Sequence, residues 1–250
     1  MILLLECHAK NYLRKEVAMM KTDRLQVLSG NMLKIIALIT MTCDHIGMQL
    51  FPEYLILRYI GRLSFPIFAY MIAEGAKYTK NRTRYWLQMF SLGAICSVVY
   101  YFAMGSLYQC ILITFSLSVI LIYAIDHALK KNDAKAWVFL VIAAFTVIFL
   151  VEILPNYLPG TDYNVDYGIW GVLTPVFVYV APGKIRKLML MIIPLTFLAF
   201  VGASYQWIAF FALIPLALYS GRRGKYKMKN LFYIYYPLHL VAIYAISLII

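Results

Sequence analysis

The sequence predicts an all-α, polytopic integral membrane protein of about nine transmembrane helices, with a cytoplasmic N-terminus and the C-terminus outside. Three observations carry that expectation. Of the 250 residues, 63% are apolar and only 14% are charged, against about 25% charged in an ordinary soluble domain. Stretches close to the ~20 apolar residues needed to cross a hydrocarbon core recur nine times. The basic residues fall on alternate connections between those stretches. Too few polar side chains are present to cover a soluble surface, so a soluble enzyme, a disordered tail, a coiled coil and a disulfide scaffold are all excluded.

In chain order the spans are 33–51, 55–76, 85–104, 109–125, 136–153, 166–181, 187–202, 205–219 and 231–250. Residues 1–31 read as a basic cytoplasmic N-terminal segment and 32–250 as a single transmembrane domain. Met1–Leu5 is too short for a signal-peptide core, and Met20 offers an alternative start. Cys7, Cys43, Cys96 and Cys110 lack metal-ligand spacing and read as small core hydrophobes; no metal is expected. Tyr54, Tyr78, Trp86, Tyr205 and Trp207 near the span ends read as an interfacial belt.

Lys and Arg number 23 and Asp and Glu 11, for a formal net charge of +12. Twenty-one of the 23 basic residues lie in the N-terminal segment through Lys34 or in the 2–3, 4–5, 6–7 and 8–9 connections. The other connections carry acids instead: Glu53, Glu152, Asp162 and Asp166. The positive-inside rule then places the basic connections in the cytoplasm. The net charge is a topology signal, not a nucleic-acid footprint.

Ionisable groups within the spans cost about 2.5–3.5 kcal/mol each on insertion scales, so they must pair or line a cavity. They are Asp44, His45, Arg58, Arg62, His239 and, near an inner end, Glu74. Lys34 and His45 are eleven residues apart, so at ~100° per residue they share a helix face. Asp44 points about 100° away from His45, towards a different neighbour. Arg58 and Arg62 share a face of span two, and the short 51–54 link brings Arg62 to the depth of Asp44. His239 lies at similar depth in span nine. Imidazoles beside guanidinium groups suit proton abstraction with anion stabilisation, and equally a proton relay or binding of an anionic substrate. Three weaker features are expected to be bland. Glu74 snorkels to the inner surface, Asp126-His127 opens a solvated connection, and Asp166 sits as an anion at a helix N-terminus. There is no P-loop, GxSxG elbow or HExxH motif.

Leu28–Met41, followed by Cys43-Asp44-His45-Ile46-Gly47, resembles the opening of the TraX family. So do Gly61-Arg62-Leu63-Ser64-Phe65-Pro66 with Glu74-Gly75, Asp166-Tyr167-Gly168 with Gly171, and Tyr235-Tyr236-Pro237-Leu238-His239-Leu240, together covering residues 28–250. That family takes its name from a protein that N-acetylates an F-type conjugative pilin. It is similar to wider transmembrane acyltransferases, whose first span carries a basic residue, ten intervening residues and a His. Lys34 and His45 match that spacing, with Lys where the wider group often has Arg. The resemblance implies acetyl-CoA entering from the cytoplasm, with its phosphates near Lys34 and His45 as general base. Asp44 would assist, and Arg58, Arg62 or His239 would bind the oxyanion or the substrate. The acetyl group would pass to an amine or hydroxyl of a protein or envelope-glycan acceptor at the cytoplasmic (inner) cell membrane. A transporter or flippase for an anionic or acylated metabolite would use the same residues without turning over CoA. The absence of an internal repeat weighs against it. A non-catalytic membrane assembly partner would use them only to pair helices.

The charge pattern makes a direct prediction. In a cysteine-free background, Thr161→Cys will react with a membrane-impermeant maleimide added to intact spheroplasts, and Asn132→Cys only after permeabilisation. Equal labelling of both would refute the orientation.

Overall fold

Ser29 begins the first helix among the described residues, its hydroxyl accepting from the Met32 amide at 3.3 Å, the N-cap role expected of serine. The computed structural model describes residues 26–225 and 228–249. Helix α1 runs Gly30–Gln49. Next come α2, Leu55–Gly61, and α3, Ser64–Tyr78, so span two is broken at Arg62-Leu63. Helices α4, Arg82–Met104, α5, Ile111–Lys131, and α6, Ala134–Ile148, follow. A π turn, Phe149–Ile153, joins α6 to α7, Leu154–Tyr157. Helix α8 is Gly168–Val180 and α9 is Lys184–Val201. The eighth apolar stretch is mostly a 3-10 helix, Ser204–Ala212, continuing into α10, Leu213–Ala217. Helix α11 is Lys229–Ser247. Among the described residues there is no strand, only two isolated bridges.

Several helices outrun the apolar windows because their caps lie in polar sequence. Asn81 accepts from the Arg84 amide at 2.8 Å and Asp133 from the Ala136 amide at 2.7 Å. Gly105 and Asn132 close α4 and α5 with positive φ, the left-handed closure that glycine and asparagine tolerate best. Asp126 and His127 therefore lie inside α5 rather than opening a connection, and Asp126 pairs with Arg82 at 2.5 Å and Lys130 at 2.9 Å.

Among the described residues four helical stretches are long and apolar enough to cross a membrane: Leu55–Tyr78, Arg82–Met104, Ile111–Lys131 and Ala134–Tyr157. The last presents Val138, Phe139, Val141, Ile142 and Phe145 outward. Such a continuous apolar outer face suits lipid, not water. This is a membrane protein. The interior is built on α3, α5 and α8, where the Phe65 ring lies between those of Phe115 and Tyr167, with centroids 6.1 and 4.1 Å away.

Connections placed on one side by charge also meet in space. The Leu28 amide donates to Leu218 O at 3.0 Å, and the Gly30 amide to Arg222 O at 2.8 Å. Lys184 Nζ donates to Ala217 O and Tyr219 O. At the other end Gln109 pairs with Asn164 and Asp166 through its backbone, and the Asp162 carboxylate accepts from the Ser106 hydroxyl at 2.5 Å and the Leu107 amide at 2.7 Å. Those two donors hold the Asp162 carboxyl below its ordinary range. The amides of Leu28, Gly30 and Asn31 all donate to carbonyls of the 218–223 connection. Residues 1–25, with Cys7, fall outside the described residues.

Two of the charges behave differently from expectation. Glu74 does not snorkel: it is 8% exposed and bonded to Lys187 Nζ. Lys187, counted among the connection charges, is 6% exposed and lies 5.6 Å from the Tyr70 ring centroid. Sequence distance hides the pair, because α9 carries Lys187 one turn inside its own start. Breaking one half of a buried pair typically costs about 3–5 kcal/mol, whereas replacing both halves is far milder. Glu74→Gln and Lys187→Met should each lower the thermal midpoint strongly, and the double variant should recover most of the loss. Additive losses in a double-mutant cycle would show that the pair is not coupled.

Candidate functional site

Helix α1 carries two neighbouring polar side chains that face different helices, as the 100° offset requires. Asp44 faces the α2–α3 break. Arg62 Nη2 donates to Asp44 Oδ1 at 2.5 Å and to Oδ2 at 2.6 Å. Arg58 Nη1 lies 2.9 Å from Oδ2 and donates to the Asp44 carbonyl at 3.1 Å. The Asp44–Arg62 pair expected from depth is present, and Arg58 joins it. The carboxylate is thus held between two guanidinium groups, and the three side chains carry one net positive charge.

The close approach is made by glycine. A Cβ on Gly61 would lie 2.2 Å from Asp44 Oδ1 and 2.3 Å from Asp44 Cβ. One turn later on α1, a Cβ on Gly47 would lie 2.6 Å from Leu57 Cβ. Both glycines sit where α1 and α2 touch, in motifs noted for other reasons.

Arg62 also reaches the 3-10 helix. Its Nη1 donates to Gln206 Oε1 at 3.2 Å, and its guanidinium carbon lies 5.6 Å from the Tyr205 ring centroid, within cation–π range. Tyr205 is therefore part of the site rather than belt, and its ring also meets Tyr59 at 5.8 Å. Gln206, 4% exposed, was not a candidate. A glutamine inside an apolar stretch was the available signal. Arg62 Nε and Gln206 Nε2 are buried and find no acceptor among the described residues.

Asp166 does not cap α8. Its carboxylate accepts from the Tyr108 hydroxyl at 2.6 Å, and Glu152 Oε1 accepts from the Ile169 amide at 3.2 Å in its place. Tyr167, at φ 61°, takes a left-handed conformation before Gly168, an uncommon one for a bulky residue. A Cβ on Gly171 would lie 2.4 Å from Tyr167 Cβ, which accounts for glycine there.

His45 faces α11. His45 Nδ1 and His239 Nε2 are 2.8 Å apart, and the two rings meet edge to edge, with planes 21° apart and centroids 5.0 Å apart. His239 is 6% exposed and His45 half-buried. Thr42, one turn before His45, contacts the Tyr235 hydroxyl at 2.7 Å, so α1 and α11 run parallel with matched spacings 42/45 and 235/239. The structure thus joins five of the six candidate residues in two adjoining clusters. Asp44 meets Arg58 and Arg62, and His45 meets His239. Lys34 lies about three turns before His45 on α1, half-buried and engaged. Among the described residues no three His, Cys, Asp or Glu side chains gather as metal ligands.

Fold and site together define a class: a helical membrane protein with a paired-charge and imidazole centre between its first, second and last apolar stretches. The chain belongs to the TraX family; the family description "TraX protein" matches residues 29–247. It is similar to an uncharacterized protein of Rickettsia prowazekii (strain Madrid E), 44% identical over 54 residues, 22% of this chain and 21% of that protein. It is also similar to a "probable fimbrial assembly protein FimC, serogroup H1" of Dichelobacter nodosus, 30% identical over 76 residues, 29% of this chain and 31% of that protein. The matched segments therefore span less than a third of either relative. No solved structure matches.

The Gly61 contact gives a test of the arginine clamp. Gly61→Ala must push Asp44 away from Arg62, costing about 1–3 kcal/mol as overpacking does. A fall of several degrees in the thermal midpoint of the purified protein is expected. An unchanged midpoint would mean that α1 and α2 are not in this contact.

Proposed function

We propose that this protein is an integral-membrane acyltransferase that moves an acetyl group from cytoplasmic acetyl-CoA to an amine or hydroxyl of a membrane or extracytoplasmic acceptor. The observation that carries the reading is the His45–His239 contact beside the Asp44–Arg58–Arg62 cluster, on the helix that also bears Lys34. Membership of the TraX family supports it. Nine spans, a cytoplasmic N-terminus and residence in the cytoplasmic membrane belong to the same proposal, and rest on the charge pattern.

Acyl transfer needs a base for the attacking group and donors for the tetrahedral oxyanion. His45 takes a proton from the acceptor amine or hydroxyl as that atom bonds to the acyl carbon. The carbon–sulfur bond of the thioester breaks, and the thiolate recovers the proton from His45. Arg62 and Gln206 supply the donors, since Arg62 Nε and Gln206 Nε2 are not committed to acceptors among the described residues. Asp44 acts through the arginines, because both its oxygens are already engaged by them.

A groove of about 640 Å³ along α4 suits the donor. Its lining runs from Asn81, Thr83 and Arg84 at the basic end to Leu92 and Ile95, with Ile234 of α11 opposite. Cys96, the next residue, packs with Leu38, Met41, Tyr236 and Leu240 beside the histidines. A polar mouth and an apolar inner end match a phosphate-bearing donor with a small acyl group. Lys34 would hold the same phosphates from α1. The likeness to a fimbrial assembly protein fits an acceptor that is a subunit of a surface appendage; an envelope glycan is the other acceptor class.

Membranes containing the protein should transfer labelled acetyl from acetyl-CoA to such an acceptor, and acetyl-CoA should raise the thermal midpoint of the purified protein. His45→Ala should lower transfer by about 10²–10⁴-fold, the usual contribution of a general base. Undiminished transfer by that variant would remove His45 from the mechanism.

A further inference from the structure

Both ring nitrogens of His239 have partners, and those partners fix where the protons lie. His239 Nδ1 is 2.9 Å from the Tyr235 carbonyl oxygen. A carbonyl oxygen only accepts, so Nδ1 carries the hydrogen. In a neutral imidazole the other nitrogen is then an acceptor. Its neighbour at 2.8 Å, His45 Nδ1, must donate to it. The His45 proton is thereby placed on Nδ1, and its Nε2 keeps a lone pair.

We infer that His239 is a positioning residue that sets the tautomer of His45, leaving His45 Nε2 as the atom that takes the acceptor's proton. This rests on the acyltransferase reading and assigns His239 a role other than oxyanion or substrate binding. As His45 Nε2 takes a proton from the acceptor, the ring becomes an imidazolium. Its Nδ1–H still points at His239 Nε2, so the new charge meets a hydrogen-bond acceptor in place. The proton then leaves Nε2 for the departing thiolate, and His239 ends as it began.

The surroundings of His239 are built to hold this arrangement. The Tyr235 ring stacks on it at 5.3 Å and 9° between planes, and Tyr236 meets it edge-on at 5.6 Å. Tyr235 is itself anchored. The one hydroxyl proton of Thr42 goes to Leu38 O at 2.9 Å, so at 2.7 Å the Tyr235 hydroxyl is the donor and Thr42 the acceptor. Thr42 and His45 on one helix thus receive Tyr235 and His239 on the other. The ring of His239 has little freedom to rotate, and the carbonyl that orders it belongs to its own helix.

The chain has four histidines, so ring-¹⁵N histidine spectra of the full-length protein in lipid can be assigned by removing His8 and His127 in turn. In the wild type His45 should show a protonated Nδ1 and a bare Nε2. His239→Gln places an amide oxygen where Nε2 was, and should keep that signature and most of kcat. His239→Leu lacks an acceptor and His239→Asn is too short to supply one. Both should mix the His45 tautomers and lower kcat about 100-fold or more, with KM for acetyl-CoA little changed. The inference is overturned by a wild-type His45 protonated on Nε2, by an unchanged His45 spectrum in His239→Leu, or by equal rescue from Asn and Gln. The spectra decide the tautomer without any turnover. A wild-type protein with the expected spectrum but no acetyl transfer would therefore sink the acyltransferase reading and leave the ordering role of His239 standing.

Discussion

One carboxylate, Asp44, ties α1 to the α2–α3 break. Two arginines in an apolar helix pair would be costly alone, and Asp44 satisfies both through its side chain and its own carbonyl. The bond is possible only because Gly61 and Gly47 let α1 and α2 approach within side-chain contact. The consequence reaches further than the pair. With Asp44 occupied, Arg62 extends to Gln206 and Tyr205 and draws in the 3-10 helix. The cluster retains a net positive charge on the side away from the carboxylate.

A second buried pair, Glu74 with Lys187, ties α3 to α9 towards the basic end. The two pairs differ in what surrounds them. Tyr70 and Tyr219, both buried, stand by Glu74 and Lys187, and one charge cancels the other. The Asp44 cluster has two cations to one anion and leaves two buried donors without acceptors among the described residues. That imbalance separates a centre able to stabilise developing negative charge from one that only fastens helices.

Much of the site was legible because membranes make polar residues conspicuous. Asp44, His45, Arg58, Arg62 and His239 stood out against apolar neighbours, and helical angles separated the faces of Asp44 and His45 before any contact was known. Lys187 did not stand out, since a lysine one turn inside a helix looks like any flanking basic residue. Gln206 was hidden in a stretch read as a plain span and Tyr205 was read as belt, whereas the 3-10 helix brings both to Arg62. Asp166, read as the anion at the start of α8, is bonded to Tyr108, and Glu152 accepts from the Ile169 amide at that helix end.

Composition and charge order by themselves determined the class of this protein, since apolar length and the placement of Lys and Arg are summed along the chain and need no contacts. Periodicity also settled which polar residues share a helix face. Only the tertiary structure decided who meets whom. It breaks span two at Arg62, and it brings α11 alongside α1 at matched spacing. It turns His239 so that its own helix carbonyl orders its protons. Hydrogen-bond direction depends on atoms a few ångströms apart but up to 194 residues distant in sequence, and no local pattern encodes that proximity.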